Sequence, residues 1–131
     1  MTLEDGLFAH LTTTATVAPF VGDRVYPVHL PADTALPALT YQIVSTTRLM
    51  THDGAVSGAD QSRIQINCHG ASPSEARVLA HRLKSLHGFR GAWDLVPVHC
   101  CQIVNSYDIG TDQTTGRTQV AIDVQVRFTE S

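Results

Sequence analysis

The chain has 131 residues, of which 43% are apolar and 16% charged, and its net charge is −3 with histidine neutral. That length holds one domain, which buries roughly two-thirds of its unfolded surface and folds without staples; the composition excludes intrinsic disorder. The nine basic residues are scattered and only Lys84 is a lysine, which argues against a nucleic-acid-binding stripe.

No apolar run approaches the ~20 residues of a membrane span, and the opening Thr2-Leu3-Glu4-Asp5 lacks the basic start of a signal peptide, so neither is expected. The three cysteines, Cys68, Cys100 and Cys101, are odd in number, and adjacent cysteines rarely pair. Reduced thiols in a cytoplasmic compartment are the simplest reading. A surface this short of charge is either covered by a partner subunit or is simply neutral and rich in Thr, Ser and Gln.

Thr2 followed by Asp5 resembles a capping box, and Leu3, Leu7, Phe8 and Leu11 fall at helical spacing, predicting a helix over about Leu3 to Thr13. Pro19 and Gly22 punctuate a short connection. Arg24-Val25-Tyr26 is a short extended piece halted by Pro27, and the segment from Val28 to Pro37 reads as a loop. Leu39 to Val44 is a predicted strand. Ser45 to Ser62, with Gly54, Gly58 and many small polar residues, reads as a long hairpin with a mobile tip or a disordered arm.

Arg63 to His69 alternates cleanly, with Ile64, Ile66 and Cys68 on one side. Ser72, Pro73 and Glu75 then give the clearest helix start in the chain, with Glu75 expected to complete a capping box. Ala76, Leu79, Ala80, Leu83 and Leu86 form its apolar stripe, with Val78 beside them, and Gly88 ends it. Gly88 to Pro97 reads as a connection anchored by Phe89 and Trp93, Val98 to Tyr107 as a strand, and Tyr107 to Gly116 as a polar hairpin loop. In the last strand Thr118, Val120, Ile122, Val124, Val126 and Phe128 alternate with Gln119, Ala121, Asp123, Gln125 and Arg127, so one face is buried and the other polar. The order α-β-β-β-α-β-β argues for an α+β fold: an antiparallel or mixed sheet of about four to five strands with two helices packed on one face.

Catalytic chemistry finds little footing. Cys68-His69 and His99-Cys100-Cys101, with His52, are the only metal-type groupings. Their members are immediate neighbours on predicted strands, where successive side chains point to opposite faces. Buried cysteine acting as a small apolar residue is the competing reading. No cysteine stands at a helix start, where a thiol would be activated. The chain has no G-x-S-x-G and no Gly-rich phosphate loop. Asp108 and Asp123 are isolated carboxylates, and the seven histidines are spread along the chain. A small metal- or thiol-dependent enzyme is therefore disfavoured, and no catalytic, cofactor-binding or metal-binding residue is assigned. Assembly is the better-supported reading. The arm residues Arg48, Leu49, Met50 and Val56 are the candidate contacts, against the alternative of a floppy hairpin tip.

The whole chain resembles the phage tail-terminator, or tail-completion, proteins of long flexible tails and related phage-derived particles. The likeness is carried by the opening helix, then Val21-Gly22-Asp23-Arg24-Val25-Tyr26-Pro27, then Leu36-Pro37 with Leu39-Thr40-Tyr41-Gln42. It continues through Arg63-Ile64-Gln65-Ile66-Asn67-Cys68, Ser72-Pro73-Ser74-Glu75-Ala76, and Tyr107-Asp108 before the terminal strand. The resemblance implies a structural virion protein of the tail-neck region, assembled in the host cytoplasm. It implies a self-associating ring, typically a hexamer, that caps the tail tube, stops its polymerisation and presents a head-joining surface. The implied partners are the chain itself, the major tail tube protein and a neck or head-completion protein, with no cofactor, nucleic-acid recognition or membrane. Another neck or head-completion ring is the alternative.

Overall fold

The computed structural model describes residues 2–28, 30, 34–50, 56–111 and 116–129. Helix α1 spans Leu3–Thr13. Its start is held reciprocally: the Asp5 amide donates to Thr2 Oγ1 at 3.3 Å, and the Thr2 amide donates to Asp5 Oδ2 at 3.2 Å. Leu3, Leu7 and Leu11 are fully buried, whereas Phe8, beside that stripe, is exposed. Gly6 lies where α1 crosses a β-strand. A Cβ there would stand 2.6 Å from the Trp93 carbonyl oxygen, so only glycine permits this approach.

A short helix, α2 (Ala18–Val21), occupies the expected connection, with Pro19 in its first turn. Strand β1 (Val25–Pro27) pairs in parallel with the start of β2 (Ala38–Met50) through Val25↔Leu39 and Tyr26↔Thr40. Arg24 joins the two: its Nε donates to the Pro37 carbonyl at 3.0 Å and its Nη2 to the Phe20 carbonyl at 2.9 Å.

Strand β3 (Val56–Gly70) pairs antiparallel with β2 from Ala38↔His69 to Met50↔Val56. The ladder therefore continues, with slips between Ile43 and Ser45 and between Arg48 and Met50, into residues 45–50 and 56–62, which show no hydrophobic alternation. Cross-strand polar contacts replace apolar ones here: Thr46 Oγ1 and Ser62 Oγ are 2.7 Å apart, and Arg48 Nε is 3.6 Å from Asp60 Oδ1.

Helix α3 (Pro73–Arg82) starts at Ser72, whose Oγ accepts from the Glu75 amide at 3.2 Å. The expected capping box is not formed in its usual way. The Glu75 carboxylate reaches one residue further back and accepts from the Ala71 amide at 3.1 Å. The α-helix stops at Arg82, and a 3-10 turn, Leu83–Leu86, carries the last two apolar residues of the stripe into the core.

Strand β4 (Gly91–Trp93) lies inside the expected connection and pairs with β5 (Val96–Thr111) through a tight turn; β5 itself continues past Tyr107 to Thr111, into the expected polar loop. Asp94 supplies its positive φ of 56°, which Asp tolerates better than most residues. Strand β6 (Thr118–Phe128) pairs with β5 on one side and β3 on the other.

The sheet is mixed and has six strands in the order β1-β2-β3-β6-β5-β4. The expectation of four to five strands and two helices is corrected by β4 and by α2, both too short to leave a periodic signal. One face of β2, β3, β5 and β6 packs with α1 and α3 into a single core. Ile64, Ile66, Cys68, Ile122, Val124, Val126 and Phe128 are buried there as the alternation predicted.

Candidate assembly surface

Two long strands expose backbone at the margins of the sheet. On β2, strand β1 covers only Leu39 to Tyr41, and Val28 donates its amide to the Tyr41 carbonyl. Beyond that point, among the described residues, no strand pairs with the outer edge of β2. On β5, β4 covers Val96 to Val98; Gly88 and Phe89 then exchange backbone hydrogen bonds with Cys101. His87 extends this cover: its Nδ1 accepts from the Ile103 amide at 3.1 Å. From Val104 onward the outer edge of β5 has no strand partner among the described residues.

Both open segments carry slips in the ladder. The register shifts at Val44 on β2, and at Val104 and Ile109 on β5. These three slipped residues are apolar and 54%, 40% and 49% exposed. Bulges and charged residues commonly protect an edge from pairing. Here the bulges instead present apolar side chains to solvent. The sequence held a signal for two of them, because the doublets Ile43-Val44 and Ile103-Val104 break a period of two.

The face of the sheet away from the helices is polar, with Arg63, Asp123 and Arg127 among its charged members. Thr40, Gln65, Asn67, Gln119, Asp123 and Gln125 lie on it by register. Gln65 Nε2 donates to the Tyr107 hydroxyl at 3.2 Å, and Arg63 Nη2 is 3.9 Å from Asp123 Oδ2.

Of the candidate contacts, Arg48 is exposed and faces Asp60. Leu49, Met50 and Val56 lie in strands, Met50 opposite Val56, but their side chains lie outside the described ones. His52 also lies outside the described residues. Cys68 and His69 point apart, whereas the slip in the ladder at His99 interrupts the expected alternation and leaves both His99 and Cys100 exposed, with Cys101 buried. Cys68 is in the core, while His69 on the opposite face has its Nε2 2.9 Å from Thr40 Oγ1. Burial pushes the Cys68 thiol well up, and burial together with neighbouring Cys100 pushes Cys101 up to about 12. Cys100 is exposed. Among the described residues no three His, Cys, Asp or Glu side chains group to hold a metal, and no helix is long and apolar enough to cross a membrane.

The open strand edges and the polar sheet face are the candidate contact surfaces of this α+β domain among the described residues. The model of the family "Tail completion protein gp17" matches residues 5–95, well over half the chain, from α1 through β4. The chain belongs to this family of phage tail proteins. No curated protein matches it. A chain in the solved structure "Virion of native gene transfer agent (GTA) particle" is similar in fold, with a TM-score of 0.71 and 16% identity over 96% of this chain and 93% of that one.

Proposed function

We propose that the chain is a non-catalytic virion component whose identical copies close into a ring that caps the tail tube.

 The reading follows from family membership, and the observation that carries it is the pair of open sheet edges on opposite sides of one sheet. A closed ring needs a heterologous contact, one surface meeting a different one on the next copy. A hexamer is the copy number we assign. The ring ends tube polymerisation by covering the last ring of tube protein, and its other side joins a neck or head-completion protein. The β2–β3 pair beyond Asp60↔Phe128 has no third strand among the described residues. We assign this arm, with Arg48, Leu49, Met50 and Val56, to contact with a neighbouring subunit or with the tube.

The test is to polymerise purified tube protein with and without the chain and to image both. Shortened tubes with a ring at one end support the reading. A chain that stays monomeric and leaves tube length unchanged overturns it, and a ring that never contacts the tube points to a neck connector instead. Deleting residues 49–59 is expected to spare folding and weaken assembly. An unchanged ring after that deletion removes the arm from the contact.

A further inference from the structure

We propose that copies join by continuing the sheet: the open edge of β2, from Gln42 to Arg48, adds antiparallel to the open edge of β5, from Val104 to Thr111, of the next copy. The inference rests on the ring reading and names its interface.

Strand direction permits this contact. β2 runs antiparallel to β3, β3 to β6, and β6 to β5, so β2 and β5 run in opposite senses. Copies related by rotation about one axis keep those senses, and the new pair is antiparallel, the more stable ladder per residue.

The lengths also match. The open part of β2 lies level with β3 residues Gln65 to Asp60. The open part of β5 lies, through β6, level with β3 residues Gln65 to Gly70. The two segments are thus of similar length and sit at opposite ends of the sheet. Aligning them displaces each copy along the strands by about four to six residues, roughly 13–20 Å at ~3.3 Å per residue. An even displacement keeps the core-side and polar faces continuous. Set against four long strands at ~4.8 Å spacing, it tilts the strands by roughly 35–45°, the tilt of closed barrels. The short strands β1 and β4 then fall beyond the ends of the partner segments and act as stops that fix the displacement.

Chemistry favours a second copy as the occupant. Each open segment carries one charged residue, Arg48 on β2 and Asp108 on β5, and each is paired within its own copy: Arg48 Nε lies 3.6 Å from Asp60 Oδ1, and Arg77 Nη2 donates to Asp108 Oδ2 at 3.3 Å. Head-to-tail pairing therefore sets no unpaired or like charge at the contact, whereas joining two β2 edges brings two Arg48 side chains together. The exposed bulge residues Val44, Val104 and Ile109 all lie on these segments, and strand addition takes them out of water.

The experiment uses full-length chains carrying Cys100→Ser, which removes the exposed native thiol. A Thr47→Cys chain is mixed with an Asn105→Cys or a Tyr107→Cys chain under mild oxidation. All three positions are exposed, and these pairs correspond to displacements of about four and about six residues. Disulfide dimers that need both chains, and a ladder ending at the ring size from a Thr47→Cys/Asn105→Cys or Thr47→Cys/Tyr107→Cys chain, support the proposal. Dimers formed by the Thr47→Cys chain alone indicate two-fold pairing of like edges and overturn it. Rings visible in the microscope without these disulfides overturn the edge assignment and leave ring formation standing; absence of any ring sinks both. As a second measurement, Val104→Lys/Ile109→Lys is expected to keep the monomer's circular dichroism and raise the concentration needed for assembly about 100-fold. Unchanged assembly of that variant overturns the proposal.

Discussion

The Tyr107 hydroxyl on β5 accepts a hydrogen bond from Gln65 Nε2 on β3, at 3.2 Å, across the intervening strand β6. Ala121 of β6 lies directly opposite both Tyr107 and Asn67, and none of its surface is exposed although it belongs to the polar face. The bridge and its flanking side chains form a lid over the sheet's middle strand.

Removing that lid has a graded cost. Tyr107→Ala is expected to lose about 1 kcal/mol, from the cross-strand contact and the bond. Tyr107→Phe keeps the ring and is expected to lose less than half of that. Urea denaturation of the three proteins checks the order. Equal losses in both variants would show that the ring contributes nothing beyond its hydroxyl.

Arg24 spans two carbonyls that belong to different elements, Phe20 at the end of α2 and Pro37 just before β2. Arg24→Ala leaves both acceptors unmatched in a half-buried setting and is expected to cost about 2–3 kcal/mol. Lysine has no planar fork, so Arg24→Lys is expected to recover little of the loss. Thermal unfolding of both variants decides it, and full recovery by lysine would assign the effect to charge alone.

Val124 is fully buried, between Ile64 on β3 and Ile103 on β5. Val124→Asp places an unpaired carboxylate in the core and is expected to cost about 3–5 kcal/mol, enough to unfold a marginal domain. Circular dichroism reads the result. A folded variant would contradict the assignment of this face to the core.

Two histidines set the expected pH dependence. His10 stacks on Trp93 with centroids 5.6 Å apart and meets Phe89 at 4.8 Å; desolvation there lowers its pKa. His69 is lowered by desolvation and then by the charge of Arg117. Both rings are therefore easier to protonate in the unfolded chain. Stability is fully present above the ordinary histidine value of about 6.5 and falls as pH drops through it toward the lower folded values. Asp5, lowered by its bonds to Thr2, acts only in a more acidic range. Denaturation midpoints between pH 7 and pH 5 are expected to decline, and His10→Phe to flatten part of that decline. A flat profile in the parent protein would refute the assignment.

Legibility followed signal strength. The β6 alternation, the α3 start and the α1 stripe were readable because each repeats a local rule over several residues. The ends of β2, β3 and β5 were not, because Thr46 with Ser62 and Arg48 with Asp60 hold the ladder by polar pairs that look like loop. β4 and α2 are too short to show a period. Ala121 looked like a small residue on a wet face, and only its neighbours on β3 and β5 bury it.

The sequence by itself determined that this chain builds an α+β domain with one buried sheet face, and it carried the resemblance that the family match supports. It determined too that Cys68 and His69 point to opposite faces, since neighbours on a strand must. Which strand stands beside which, and therefore which edges lie open, was decided only in the tertiary structure. Strand order is a long-range choice: β6 inserts between β3 and β5, and no local pattern in any one of the three strands records that.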